Sequence, residues 1–516
     1  MFYISTRTDK LLIYVHNGGG FDFNYLLPYC DYDATPLIIN RRLVTASFVG
    51  QEWRDSYRII PIPLAAYRKD EIAYEKLEAD VREANKDEIL RYQRTDCEAL
   101  YELVTGFRER FGDKVTIAST ALPLLKKLHP YESLSEGMDS KLRRFYAGGR
   151  VQCFATGVFR GSWKIVDRNS MYPAVMAQCS HPIGSRWWMS EDIRDTTWFV
   201  IWRGKSHGCA YTRKNGLSFV HAEDVFYSTI HEINAGLETG TIEIASIVEC
   251  WNCDKATKFD AFVLQYYALR KQAKAEGDKL GDIFNKLIMN SSYGKLGMDP
   301  REHEQFRVMQ WGLMPHEGLH DKKDNPKGWG LQFAYKKMDG SPAWGIWGRP
   351  SATRWNNFHN VATAASITGA ARANLLRAIR DGLNVLYCDT DSLICEAFNG
   401  DMGDDLGQWK VEAEGCLVAI CGRKTYAVYS REPPTDAPKW WVQDPEGHTY
   451  TDPELGVLYC IKKACKGVNV SGNQIIDIAL GREMRWSNPV PSFKLGGGVA
   501  WVERTIRKTG DVEGLD

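Results

Sequence analysis

The chain reads as an α+β protein of several domains, and three observations predict this. Its 516 residues exceed what one hydrophobic core encloses, so three or more modules are expected. The stretch "LYCDTDSLIC", Leu386 to Cys395, sets apolar runs on either side of a polar bend, the pattern of two buried strands joined by a tight turn. The stretch "KLGDIFNKLIMNSSYGKLG" instead spaces Ile283, Phe284, Leu287 and Ile288 along one face of a helix.

Composition narrows the classes. Hydrophobic residues make up 44% and charged residues 25%, and no apolar run approaches the length of about eighteen that a membrane span needs. The opening "MFYISTRTDK" has no signal-peptide build. Thirteen cysteines are scattered, and only Cys250 and Cys253 form a C-x-x-C, with no second pair nearby to complete a zinc site. A reduced cell interior is therefore expected: cytoplasmic, organelles included. Lys plus Arg equals Asp plus Glu at 65 each, so a polyanion would have to be held by locally segregated charge. The 17 Trp and 24 Tyr fit either base-stacking platforms or aromatic cores.

The first strand pair carries Asp389 and Asp391 at its bend. In extended chain, residues i and i+2 face the same way, roughly 6–7 Å apart, so both carboxylates aim at one point. Like charges there repel, and a divalent cation between them removes the repulsion. The plainer alternative is a turn stabilised by Asp and Ser. Two-metal phosphoryl chemistry draws its oxygen ligands from separate strands, so a second acidic strand is expected. "WKIVDRNSMYPAVM" supplies it: alternation through "WKIV" reads as a strand ending at Asp167, and "SMYPAV" as a helix start. Asp167 as a helix N-cap is the alternative. On the helical segment, Lys286, Asn290 and Tyr293 follow at i, i+4 and i+7 on a second face. There a lysine can neutralise phosphate and a tyrosine can contact a base, unless the lysine is simply solvated.

Together these segments resemble family B DNA polymerases. "DRNSMYP" is similar to motif A, D-x-x-S-L-Y-P, with Met171 replacing leucine; "KLIMNSSYG" to motif B, K-x-x-x-N-S-x-Y-G; and "YCDTDS" to motif C, Y-x-D-T-D-S, in the family's order. "FYAGGR" resembles the family's Y-x-G-G segment, which implies that Tyr146, Gly148 and Gly149 contact the template strand, glycines letting backbone amides approach phosphates. "GRKTYAVY" contains a K-x-Y, Lys424 and Tyr426, that steadies the primer end in the family. Lys274 occupies the other triphosphate-binding position, on a helix that Gly277 separates from the motif B helix, so that the two form the fingers.

The resemblance implies a right-hand polymerase of palm, fingers and thumb behind a truncated RNase H-like exonuclease module. Asp167 and Asp391 would hold two Mg²⁺ ions, with Asp389 supporting and Mn²⁺ able to substitute. Lys274 and Lys286 would neutralise the triphosphate, Asn290 and Tyr293 complete the nucleotide site, and Tyr172 close the sugar pocket against a 2′-hydroxyl. The implied partners are primer-template DNA, dNTPs and a terminal protein primer, with no membrane and a monomeric chain. About 120 residues separate motifs A and B and about 100 separate B and C. These intervals resemble the protein-primed polymerases of phages and linear plasmids, which carry an insertion in each gap.

The expected domains are 1–130 exonuclease-like, 131–214 palm with motif A, 215–260 first insertion, 261–298 fingers, 299–345 second insertion, 346–430 palm with motif C and K-x-Y, and 431–516 thumb. The second insertion, with "HEGLHDKKDNPKGWGLQF", is expected to be a loop-rich ribbon, and "PSFKLGGGVAWVERTIRK" the basic end of the thumb. In the N-terminal module "HNGGGFDF" is similar to Exo II, giving Asn17 and Asp22, and "YQRTD" to Exo III, giving Tyr92 and Asp96. No Asp-x-Glu of the Exo I kind precedes them, so either a lost N-terminus or a decayed module is expected, with weak or absent proofreading. Alternative functions are a 3′–5′ exonuclease or a catalytically silent DNA-binding replisome subunit.

Overall fold

The structure, a computed structural model, describes residues 9–508 apart from 33, 41, 69–71, 213–216, 303, 312–328, 337–341, 351–357, 467, 469 and 493–497. The chain forms two compact units: residues 1–128, 264–356 and 489–501 make the first, and residues 129–263, 357–488 and 502–516 the second.

The second unit is built on an eight-stranded sheet. Its strands run in the order Thr449–Asp452, Gly456–Cys465, Thr425–Ser430, Trp409–Gly422, Gly157–Arg168, Ser392–Cys395, Tyr387–Asp389, Val151–Cys153, and every neighbouring pair is antiparallel. A period of two sorts side chains between its faces. Leu417, Ala419 and Cys421 pack under the helix Gly472–Ala479, while Val418 and Ile420 join Trp163, Ile165, Tyr387 and Ile394 on the opposite face. The expected strand ending at Asp167 is the long central strand, and the expected hairpin is Tyr387–Asp389 with Ser392–Cys395. The sheet also corrects the thumb boundary. Residues 449–465 are edge strands of this same sheet, so the region assigned to the thumb from 431 begins as palm. Part of the proposed thumb end, residues 493–497, lies outside the described residues.

The helix Val361–Asp381 is buried along nearly its whole length and packs on Met171–Gln178 and Ile230–Thr239. A second sheet of this unit has the order Ser218–Thr229, Thr197–Thr212, Ile242–Asn252, Trp188–Ser190. Its strands fall on both sides of residue 214, which corrects the expected start of the first insertion: the folded module begins near Trp188. The chain leaves this sheet into Ile230–Thr239 through a capping box, in which Thr229 and Glu232 satisfy each other's backbone N–H groups.

In the first unit, a four-stranded sheet has the order Leu12–Val15, Gln51–Asp55, Arg42–Phe48, Leu37–Ile39, with the first pair parallel. Its core residues Phe23, Leu27, Phe48 and Trp53 are shared with Phe306, Val308, Trp344 and Ile346. These last four sit on a three-stranded antiparallel sheet, Glu304–Gln310, Pro342–Pro350 and Gly330–Lys336. The described part of the second insertion is therefore a sheet reaching Pro350, not a loop-rich ribbon ending at 345. Most of "HEGLHDKKDNPKGWG" lies outside the described residues. Helices Lys86–Phe111 and Ile117–Leu128 pack on the motif B helix Lys279–Leu296, with Phe107 and Phe111 edge-on to Phe284 at 5.6 and 6.0 Å. Residues 86–128, expected as exonuclease, thus support the fingers helix. The expected helical hairpin is present: Asp260–Glu276 ends at Gly277 (φ +71°), and Asp278 caps the next helix through Gly281 N–H. Among the described residues no helix is long and apolar enough to cross a membrane.

Candidate active site

Motif C folds as a hairpin whose two-residue loop is Thr390-Asp391. Asp389 pairs with Ser392 across it, and Thr390 takes φ +57°, an uncommon conformation for a β-branched residue. Ser392 lies opposite Asp167 on the neighbouring strand, and Arg168 N–H donates to Asp391 O at 2.8 Å. The strand register therefore makes Asp167 and Asp391 neighbours. Burial, then the charges of Asp167 and Asp389, push the Asp391 carboxyl up to about 7. Crowded carboxylates of this kind are what a divalent cation relieves.

Asp389 is engaged differently. Lys424 Nζ donates to both its oxygens at 2.8 and 2.6 Å, and Tyr387 OH donates to Oδ2 at 3.2 Å. Lys424 N–H in turn donates to Tyr387 OH at 3.0 Å, and the Tyr387 and Tyr426 rings pack 5.2 Å apart. Motif C and K-x-Y thus form one cluster, in which Asp389 is the counter-ion of Lys424. Among the described residues no three His, Cys, Asp or Glu side chains are grouped to hold a metal. Asp167 and Asp391 are the two carboxylates that the strand register brings together. Hard oxygen donors of that number suit Mg²⁺ or Mn²⁺, since Mg²⁺ is bound by one or two carboxylates with substrate phosphates and waters completing the shell.

The Y-x-G-G segment reaches the same place. A side chain on Gly149 would sit 2.7 Å from Thr390 Oγ1 and 3.1 Å from Tyr172 OH, whereas Gly148 has open space around it. Gly149 is therefore required for packing between the catalytic turn and Tyr172. The expected approach to phosphate remains open only to the exposed Gly148. Tyr172 lies in the first turn of Met171–Gln178, and Tyr146 is half-buried.

Sequence reasoning missed Arg372. It is buried, pairs with Glu232 at 2.7 Å, and donates to Ala147 O and Gly148 O, each at 2.8 Å, so it holds the Y-x-G-G backbone. A lone charge inside the apolar helical stretch "ASITGAARANLL" was the available signal.

The family model for DNA polymerase type B, organellar and viral, matches residues 30–199 and 214–324. The chain belongs to the family B DNA polymerases. It is 37% identical to the DNA-directed DNA polymerase of Enterobacteria phage PRD1 over 99% of this chain and 90% of that one. It is 23% identical to a probable DNA polymerase of Neurospora intermedia, over 43% of this chain and 26% of that one. Among solved structures, phi29 DNA polymerase complexed with primer-template DNA superposes with a TM-score of 0.69 at 17% identity, over 96% of this chain and 91% of that one. The orthorhombic crystal form of the same polymerase gives 0.70 over 98% and 93%. The right-hand fold expected from the motifs is the fold these structures share, and the chain is a DNA-directed DNA polymerase.

The remaining candidate residues of this polymerase lie in the first unit. On the motif B helix, Phe284 and Ile288 are buried and Ile283 and Leu287 partly so, while Lys286 and Asn290 are exposed and Tyr293 is half-buried. Lys274 is exposed on the preceding helix. In the N-terminal module Asn17 takes φ +59° at the head of a tight Gly-Gly-Gly turn, where a side chain on Gly19 would lie 2.0 Å from Leu43 O. Asp22 is exposed at the start of the short helix Asp22–Leu26. Tyr92 and Asp96 are half-buried one turn apart on Lys86–Phe111, and Asp96 Oδ1 is buried without a hydrogen-bond partner among the described residues.

Proposed function

We propose that this polymerase adds dNTPs to a primer 3′-hydroxyl at the Asp167/Asp391 pair, with two divalent ions, Mg²⁺ by preference, held there. The observation that carries the reading is the crowding of these carboxylates, Asp391 in the turn beside Ser392, which lies opposite Asp167, with Asp391 pushed up to about 7. The bound ions would supply charge neutralisation on the phosphates and acidify the attacking hydroxyl. This chain's residues do the rest. Asp167 and Asp391 accept the cations, and Asp389 holds Lys424 beside them, where that ammonium can meet a primer-end phosphate. Tyr172, wedged against Gly149 and the catalytic turn, is fixed to exclude a 2′-hydroxyl. Lys274 and Lys286 are exposed point charges for the triphosphate, with Asn290 and Tyr293 on the same helix as Lys286. We further propose a monomer in the cell interior that accepts a protein hydroxyl as primer, a reading supported by the full-length likeness to the phage PRD1 relative and by the two insertions.

A primer-extension assay with Mg²⁺ tests the reading. Extension is expected; shortening of the primer would instead support the exonuclease alternative, and neither outcome the silent subunit. Repeating the assay without a DNA primer, with and without a candidate terminal protein, tests protein priming: a labelled protein–nucleotide adduct is expected only when that protein is present.

A further inference from the structure

The residue that follows the two glycines is an arginine, and it is almost wholly buried. Arg150 is 3% exposed, and its guanidinium makes no ion pair among the described residues. Nε and Nη2 both donate to Gln152 Oε1, at 3.0 and 2.6 Å, and the cation lies over the Phe219 ring at 4.3 Å from the centroid. A buried charge without a carboxylate is costly, so the Gln152 amide, the Phe219 face, the more distant Phe154 ring at 5.7 Å and the Cys388 side chain are what make it tolerable here. Arg150 O accepts the N–H of Thr390 at 2.7 Å, the loop residue held at positive φ between the two motif C aspartates. Its neighbour Val151 pairs with Asp389.

Phe219 belongs to the module inserted after motif A. A register shift between Phe219 and His221 marks a bulge, the device by which a strand re-aims a side chain. Phe219 is 3% exposed and edge-on to Tyr211 of the partner strand at 5.7 Å. The same hairpin is tied to the K-x-Y loop, since Arg423 Nη1 donates to Leu217 O at 3.2 Å. We infer that Arg150 is a positioning residue for nucleotide addition: clamped by Phe219 of the inserted module, it fixes the turn that carries Asp389 and Asp391. The inserted module thereby becomes part of what sets the catalytic geometry. A misplacement of about 1 Å at such a turn can cost up to about a hundredfold in rate.

The inference rests on the proposed role of Asp391, and the test separates the two. Phe219→Leu keeps apolar volume but removes the ring face, and Phe219→Tyr restores it. In the full chain, Phe219→Leu is expected to lower kcat for single-nucleotide addition at least about tenfold and to raise the Mg²⁺ concentration for half-maximal rate. KM for dNTP, primer-template affinity and Tm are expected to stay near the parent's, with Phe219→Tyr recovering most of the rate. If Phe219→Leu does not fold, Arg150→Lys, which keeps the charge but loses the two bonds to Gln152, must show the same split. A parental kcat in the folded variant, or a fall in kcat matched by an equal loss of DNA affinity, overturns the inference. Asp391→Asn is assayed alongside: if it is active the metal-site reading fails, and if it is dead while Phe219→Leu is normal only the positioning role fails.

Discussion

The N-terminal sheet and the palm sheet each place an aspartate where a strand gives way to a turn, yet the two are surrounded in opposite ways. In the N-terminal sheet, Asp55 closes the strand Gln51–Asp55 at 3% exposure. Its oxygens accept backbone N–H groups from Gly19 and Tyr57, at 3.3 and 3.0 Å. Burial raises its pKa, and those N–H groups and Arg58 act against the rise. In the palm, Asp391 meets Asp167 and Asp389, and both neighbours push its carboxyl the same way as burial does. A carboxylate answered by backbone donors is part of the scaffold; carboxylates that crowd one another fit the cation site proposed above. The contrast lies in what surrounds each acid: Asp55 is almost wholly buried among backbone donors, whereas Asp391 is partly exposed beside two carboxylates, as the proposed catalytic role requires.

The strongest way to break this comparison is to remove a palm carboxylate. Asp167→Asn or Asp391→Asn is expected to reduce nucleotide addition by at least about a thousandfold, since each removes a ligand that acts on the transition state. Primer-template affinity should stay within a few-fold, read by anisotropy against single-turnover incorporation. Wild-type-like extension by either variant would remove the site. Next in size is the sugar pocket. Tyr172→Ala should lower the ratio of dNTP to rNTP incorporation efficiency by about a hundredfold, a loss of steric discrimination worth roughly 3 kcal/mol. Tyr172→Phe should keep discrimination, because ring bulk is proposed to act; an unchanged ratio in Tyr172→Ala sinks the gate.

How much of this was legible depended on the range of the interaction. The Asp389/Asp391 hairpin, the Asp167 strand and the helical hairpin at Gly277 are set by local alternation, turn chemistry and helical spacing, and the sequence carries all three. The partner of Asp389 was not legible as such: Lys424 lies 35 residues away, and the strands Thr425–Ser430 and Tyr387–Asp389 are not neighbours in the sheet, so no local pairing announces the contact. The same holds for Arg150 and Arg372, whose partners Phe219 and Glu232 come from the second sheet and the helix that follows it. Sheets run across the expected domain limits at 214, 345 and 431 for a related reason. Motif spacing locates an insertion but not the strands that flank it and pair with it, as Thr197–Thr212 does with Ser218–Thr229.

A smaller effect sharpens the comparison through pH. Asp391 titrates near 7 in the folded chain and near 3.9 unfolded, so between those values the folded state binds the extra proton. Stability therefore falls as pH rises through that window and levels off above about 7. Asp391→Asn removes this penalty. In chelator, the variant should equal the parent near pH 4 and exceed it at pH 8 by about 2 kcal/mol, the shift being discounted for partial exposure. Excess Mg²⁺ at pH 8 should stabilise the parent and not the variant. Denaturant melts at the two pH values measure this, and a difference that does not change with pH would show that Asp391 is not crowded.

The smallest effect on catalysis is expected in the N-terminal module, where the proposal is that the 516-residue chain has little or no 3′→5′ exonuclease activity. Two-metal hydrolysis needs a bridging carboxylate to fix the attacking water, and Asp22 and Asp96, whose motifs resemble Exo II and Exo III, belong to no group of three metal-ligating side chains among the described residues. The buried acid that does lie in this sheet, Asp55, is already taken by Gly19 and Tyr57 N–H. The module has other work, because its core is continuous with Phe306, Val308, Trp344 and Ile346 of the second insertion. Leu43→Ala, in that core, should therefore weaken stability by about 2–5 kcal/mol, whereas Asp22→Ala with Asp96→Ala should leave trimming of a mismatched, labelled primer unchanged. If the parent trims that primer readily and the double variant does not, a further ligand completes a working site there, and the N-terminal acids would belong with the palm's rather than with Asp55.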